Sequence, residues 1–144
     1  MKMILAAHGK YAQEILNSAN MVYGEIKGLE AVTFLPGENV ETLKEKYQKI
    51  LSGYDPKEEI LFLVDLFGGS PYNAAFETSV PEERMDVITG LSLPMLLEAA
   101  EIRELEPEIR ASEMYEKLDA VSYVKSCKAL LKETKENQKE EDEL

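Results

Sequence analysis

Apolar and polar positions follow one another along this chain in a pattern that predicts strands and helices in turn. Short apolar or β-branched runs have the length and composition of strands, and they cover residues 2–7, 29–35, 58–67 and 85–90. The third run, EEILFLVDLF, shows no polar alternation in its apolar part. Because a strand that is covered on both faces needs apolar residues throughout, this run predicts a central parallel strand.

Between these runs, apolar residues recur every three or four positions, as on the buried face of a helix. The spacing predicts helices from Ala12 to Tyr23, from about 39 to 51, after Pro71, and from about 93 to 105. A further helical pattern begins near residue 112. Strands that alternate with helices predict the α/β class, with a doubly wound, mainly parallel sheet and right-handed crossovers.

Composition narrows the possible functions. The chain has 144 residues, 28 acidic against 16 basic, and a formal net charge of −12. This charge disfavours binding to nucleic acid or anionic lipid, both of which need a basic face. The only cysteine, Cys127, has no partner for an internal disulfide, so we expect a cytoplasmic location and a small, buried apolar role for its side chain. A single histidine and a single cysteine offer no metal-binding cluster, and no metal is expected.

The chain is expected to form one folded domain, residues 1–131, of a size that suits a single core. Residues 132–144, KETKENQKEEDEL, contain few apolar side chains and many acidic ones. A segment of this composition buries too little apolar surface to compensate for the entropy lost on folding. We therefore expect an acidic, disordered tail after the domain.

Two polar residues follow the strands that should lie at the centre of the sheet. In open α/β sheets, ligands bind beyond the carboxyl ends of the strands where the strand order reverses, which for the flavodoxin-like order 2-1-3-4 lies between strands 1 and 3. His8 directly follows the first strand and Asp65 ends the third. A carboxylate that is hydrogen-bonded to one imidazole nitrogen leaves the other nitrogen free as a nucleophile. This arrangement predicts phosphoryl transfer through a phosphohistidine.

The Gly68-Gly69-Ser70-Pro71 step adds an expected phosphate site beside these two residues. Ser70 is predicted to cap the following helix and Pro71 to open it. The helix start would then present free N–H groups, and two glycines would let the backbone approach a phosphate closely. The loop 89–92 should lie at the same edge. Each feature also has a purely structural explanation: a structural histidine, a loop-capping aspartate and a tight turn.

Four motifs in this order resemble one known family, the enzyme IIA component of the mannose-type bacterial sugar phosphotransferase system. They are AAHG, FLPGENVETL, LFLVDLFGGSPYNAA and ITGLSLPMLLE. The resemblance implies that His8 accepts phosphate through Nε2 from the phosphohistidine of HPr and passes it to a histidine of a IIB component. Asp65 would hold the Nδ1 proton, and Gly68, Gly69 and Ser70 would line the phosphate site.

The resemblance further implies sugar phosphorylation through the membrane components IIC and IID, with no metal and no small cofactor. It implies a homodimer in which a late strand is exchanged, and hence a C-terminal antiparallel edge strand near residues 123–130. Locally, residues 112–131 have a helical pattern instead, so a helix followed by a short strand is expected.

Other classes of protein fit the sequence less well or differ only in their partner. A receiver domain would use Asp65 as phosphoacceptor, but it needs an acidic pair where this chain has Ala6, Ala7 and His8. Two alternatives stay open: the phosphoryl donor subunit of dihydroxyacetone kinase, and a stand-alone regulatory module that is phosphorylated as a signal. The partner that removes the phosphate distinguishes them from the sugar-transport role.

Overall fold

A computed structural model describes all 144 residues and contains one four-stranded sheet. The strands are β1 (Lys2–His8), β2 (Leu29–Phe34), β3 (Ile60–Val64) and β4 (Met85–Thr89). Their order in the sheet is β2-β1-β3-β4, and every neighbouring pair is parallel. The predicted α/β class and the predicted strand order are therefore confirmed.

Helices cover both faces of this sheet. They are α1 (Tyr11–Tyr23), α2 (Val40–Leu51), α3 (Ser70–Ser79), α4 (Leu93–Leu105), α5 (Ala111–Lys117) and α6 (Cys127–Glu143), with a short 3₁₀ helix at Ala120–Tyr123. One apolar cluster joins a sheet face to α1, α4 and α5, and the other joins the opposite face to α2 and α3. None of these helices combines the length and the apolar character that crossing a bilayer requires.

The central strands divide their side chains between the two clusters. In β1, Met3, Leu5 and Ala7 lie in the first cluster, whereas Ile4 and Ala6 lie in the second, as the two-residue period of a strand requires. All five residues of β3 are fully buried. The continuous apolar run of the third strand thus correctly predicted a central position, since polar side chains could not be accommodated on either face.

The C-terminal part of the chain departs from the sequence-based expectations. The antiparallel edge strand expected near residues 123–130 is not formed, and the 3₁₀ helix and α6 occupy this segment instead. Ser126 begins α6 as its N-cap, where its hydroxyl accepts a hydrogen bond from the Ala129 N–H at 3.2 Å. A capped start followed by Lys, Glu, Ala and Leu favours a helix, because these residues lose little side-chain freedom in one.

Two further expectations concern the same segment. Residues 132–144 were expected to be disordered, but the structure continues α6 through Glu143. No residue of α6 is buried, so the helix is held by its own backbone hydrogen bonds and not by packing. The expectation of a buried Cys127 is wrong, because this residue lies at the exposed start of α6.

Candidate functional site

The carboxyl ends of β1 and β3 bring His8 and Asp65 into direct contact. The two strands are adjacent and parallel, with Ala6 paired to Val64, so both chains leave the sheet at the same edge. His8 Nδ1 lies 2.8 Å from Asp65 Oδ2. The same carboxylate oxygen accepts a hydrogen bond from the backbone N–H of His8 at 2.9 Å. The topological rule for open α/β sheets therefore located this pair correctly.

Hydrogen bonds to both carboxylate oxygens hold the side chain of Asp65 in place. While Oδ2 accepts from His8, Oδ1 accepts from the backbone N–H of Leu66 at 2.9 Å. The Asp65 side chain is only 14% exposed, whereas that of His8 is 46% exposed. A carboxylate can only accept hydrogen bonds, so Nδ1 of the imidazole carries the proton, and in the neutral ring the lone pair is therefore on Nε2. The arrangement holds one tautomer of a half-exposed imidazole.

Packing contacts also restrict the imidazole ring of His8. The ring of Phe34, the last residue of β2, meets it nearly at right angles, with 5.5 Å between ring centroids and 79° between the ring planes. Gly9 and Phe34 form a short antiparallel bridge through two backbone hydrogen bonds, which ties the chain after β1 to the end of β2. Sequence reasoning missed Phe34. Its position as the last aromatic residue of a strand adjacent to β1 was the available signal.

The glycine turn lies against the Cε1–Nε2 edge of the imidazole. A Cβ atom placed on Gly69 would lie 2.9 Å from His8 Cε1 and 3.7 Å from Nε2, so only a glycine leaves this space free. Gly68 has φ +80°, a left-handed conformation that side chains disfavour. Gly68 and Ser70 flank Gly69 in the same turn, so all five predicted site residues lie at the same edge of the sheet.

The prediction that Ser70 caps α3 is wrong by one residue. Gly69 occupies the N-cap position with extended backbone, and Ser70 is already the first residue of the helix, followed by Pro71. The Asn73 N–H donates to the Gly69 carbonyl at 2.8 Å, which closes the first turn. The hydroxyl of Ser70 therefore has no capping role. The first N–H groups of a helix have no intrahelical partner, so this turn presents the positive end of a helix dipole.

The loop after β4 lies at the same edge but is already engaged in structural contacts. The Leu91 N–H donates to the Val64 carbonyl at 3.0 Å, and the Leu91 carbonyl accepts from the Tyr11 hydroxyl at 2.8 Å. Ser92 caps α4 by accepting from the Met95 N–H at 3.3 Å. This loop therefore anchors the ends of β3 and α1 beside the site.

Apolar side chains stand exposed around the glycine turn. Leu66 is 59% exposed and Phe67 is 79% exposed. Phe67 packs on Tyr72 and Tyr72 on Phe76, with centroid distances of 4.9 Å and 5.9 Å. No group of three or more His, Cys, Asp or Glu side chains is arranged to hold a metal ion. The site thus consists of one imidazole, its carboxylate partner, a helix start and an apolar rim.

Comparison with known proteins places this geometry in a family. Residues 2–118 match the family EIIA-man, described as "PTS system fructose IIA component". The chain is 42% identical over 104 residues to the PTS system fructose-specific EIIA component of Bacillus subtilis, which covers 72% of this chain and 71% of that protein. It is also 42% identical over 105 residues to the mannose-specific EIIAB component of Escherichia coli K12, but that match covers only 32% of the longer protein.

A solved structure shares the fold over a larger part of the chain. The mannose/sorbose-specific IIA subunit of the phosphotransferase system from Enterococcus faecalis superimposes with a TM-score of 0.75 at 30% identity, covering 87% of this chain and 92% of that one. Since the family match runs through all four strands and α1 to α5, the chain belongs to the mannose-type EIIA family of the sugar phosphotransferase system.

Proposed function

We propose that this protein is a phosphocarrier that accepts a phosphoryl group on His8 and passes it to a second protein. The observation that carries this proposal is the 2.8 Å contact between His8 Nδ1 and Asp65 Oδ2, which keeps the Nε2 lone pair free. The side chain of His8 is 46% exposed, so a macromolecular donor has access to that nitrogen. EIIA components belong to a phosphotransferase system, and this chain is similar to several of them.

The transfer needs no other nucleophile. The Nε2 lone pair of His8 attacks the phosphorus of phosphohistidine on HPr, a new N–P bond forms, and the old N–P bond breaks with its electron pair returning to the HPr imidazole. The Nδ1 proton stays in its hydrogen bond to Asp65, where the carboxylate stabilises the positive charge that develops on the ring. In the second half, a histidine of the IIB component attacks the same phosphorus and releases neutral His8.

Gly68, Gly69 and Ser70 are proposed to hold the phosphoryl oxygens. Gly69 lies beside the Cε1–Nε2 edge of the imidazole, so a group attached to Nε2 would extend over the turn that starts α3. Backbone N–H groups at a helix start and a serine hydroxyl are suitable donors to a phosphoryl group. They are fixed before the reaction, which lowers the cost of reorganisation during transfer.

The partners follow from the same proposal. HPr would be the donor and IIB the acceptor, and IIB would phosphorylate the sugar that arrives through the membrane components IIC and IID. This protein would act in the cytoplasm and serve those membrane components only indirectly. Exposed Leu66 and Phe67 beside His8 offer an apolar contact area that suits transient docking. We also propose a homodimer, in which a second copy would cover exposed apolar residues such as Val121 and Val124.

The proposal is tested by incubating wild type and His8→Ala with phosphoenolpyruvate, enzyme I and HPr, followed by intact-protein mass measurement. Wild type should gain one phosphoryl group that is labile in acid and stable in alkali, and His8→Ala should gain none. Addition of IIB should then remove the label from wild type. A His8→Ala variant that is labelled like wild type would refute the central claim, and a label that only a dihydroxyacetone kinase removes would favour that alternative.

A further inference from the structure

A buried tyrosine forms a hydrogen bond with the backbone of the turn that starts α3. Tyr47 of α2 is fully buried, and its hydroxyl donates to the Pro71 carbonyl at 3.0 Å. The ring is fixed by packing on Phe62 of β3, with 5.0 Å between centroids. Burial raises the pKa of the Tyr47 phenol, and the negative charge of Asp65 raises it further, so the hydroxyl stays protonated as a donor.

An asparagine holds the other end of the same turn. Asn73 Nδ2 donates to the Gly68 carbonyl at 3.2 Å, although the asparagine itself is exposed. The accepting carbonyl belongs to Gly68, whose φ is +80°. Glycine has more backbone freedom than any other residue, so this hydrogen bond restrains a part of the turn that could otherwise move. Neither side chain forms a hydrogen bond with His8. Both act on the backbone on either side of Gly69, the residue that lies against the imidazole.

We propose that Tyr47 and Asn73 are positioning residues for phosphoryl transfer, because together they fix the backbone of residues 68–71 against Nε2 of His8. This inference rests on the proposed function and adds to it the side chains that keep the phosphate-binding turn in place. Fixed donors act on a transferring phosphoryl group only when their geometry is set beforehand, and small displacements reduce the rate strongly. The turn contains two glycines, so its shape must be maintained from outside.

Two variants separate positioning from simple stabilisation. Tyr47→Phe keeps the aromatic packing and removes only the hydroxyl. Asn73→Ala removes the Nδ2 donor at an exposed helical position where alanine has the higher helix propensity, so its melting temperature should not fall. Tyr54→Phe is the matched control for Tyr47→Phe, because it also removes one phenol hydroxyl. Tyr54 lies beyond the end of α2 and lines a cavity of about 280 Å³ that includes none of the proposed site residues.

The experiment measures kcat and KM for transfer from phospho-HPr, together with thermal unfolding, on wild type and the three variants. We expect kcat to fall about three- to tenfold in Tyr47→Phe and in Asn73→Ala, with KM for phospho-HPr changed by less than about twofold, since neither residue belongs to the proposed docking rim. Tyr54→Phe should retain the wild-type kcat.

The outcomes are distinct. Wild-type kcat in either variant would overturn the role of that residue, even if Tyr47→Phe melts at a lower temperature. Should Tyr47→Phe fail to fold, Asn73→Ala alone decides whether the turn needs holding: a reduced kcat at an unchanged melting temperature supports the inference, and an unchanged kcat overturns it. A wild-type protein that takes up no phosphate would instead refute the proposed function, and this inference with it.

Discussion

Residues 1–118 and residues 119–144 of this chain differ in what holds them in place. The first region contains the sheet, both apolar clusters and every buried residue, including the fully buried β3. The second contains the 3₁₀ helix and α6 and has no buried residue. The family match ends at residue 118, close to the point where burial stops.

This difference in burial explains why the sequence pattern determines the structure of the first region but not that of the second. In the first region, the apolar period selects one arrangement because any other would expose apolar side chains or bury polar ones. In the second, Tyr123 packs against the first cluster, but Val121 and Val124 are 92% and 87% exposed, so packing within the chain selects less strongly between helix and strand. Local signals such as the Ser126 cap then decide.

A pair of identical leucine substitutions should show the largest contrast. Leu63→Ala removes a fully buried side chain from β3 and should lower the free energy of unfolding by ~2–5 kcal/mol, because it leaves a cavity between packed neighbours. Leu131→Ala, at a residue 56% exposed, should change it by less than ~0.5 kcal/mol. Urea unfolding measures both. A loss in Leu131→Ala that depends on protein concentration would break the comparison, since it would mean that the second copy of the proposed homodimer also covers Leu131.

The next largest effect concerns the contact between β1 and β3 at the site. Asp65→Ala should slow phosphoryl uptake about a hundredfold, or ~2.7 kcal/mol in activation free energy, because Nδ1 loses its acceptor and the ring loses its fixed tautomer. The fold should remain, as the sheet pairing does not involve the side chain. Rapid-quench kinetics with phospho-HPr gives the rate, and Asp55→Ala, outside the site, is the control. An Asp65 variant as fast as wild type would contradict the assigned role.

Contacts in the site could be predicted where the interacting residues lie at the ends of strands. His8 and Asp65 each end a strand, so strand order alone brought them together. The identity of the N-cap required more: whether Gly69 or Ser70 begins α3 depends on backbone angles that no residue preference fixes to one position.

The contacts that side chains from other elements make with the site were not predicted from the sequence. Tyr47 appeared only as one apolar position of α2, and nothing in its spacing indicates that its hydroxyl reaches Pro71, 24 residues away. Phe34 was likewise missed, because its contact with His8 depends on the placement of β2 beside β1. These contacts are set by three-dimensional packing, which the one-dimensional period does not contain.

A smaller effect is expected where the glycine turn meets the imidazole. Gly69→Ala would place a Cβ 2.9 Å from His8 Cε1, so the ring must move away from the orientation that Asp65 holds, and phosphoryl uptake should fall about tenfold. The control is Gly53→Ala, whose nearest contact would be 3.4 Å to the Ile50 carbonyl oxygen. Uptake rate and ¹H–¹⁵N spectra of the imidazole report the two consequences. A displaced ring with an unchanged rate would show that ring orientation does not limit transfer.

The smallest effect on stability should come from removing residues 132–144, and it bears directly on the disagreement between composition and structure. Truncation after Leu131 deletes only exposed residues, so the free energy of unfolding should change by less than ~0.5 kcal/mol. The far-ultraviolet helical signal per molecule should nevertheless fall, because most of α6 is lost. An unchanged helical signal would mean that this segment is disordered in solution, as its composition indicates. A large loss of stability would mean that the second region supports the first after all.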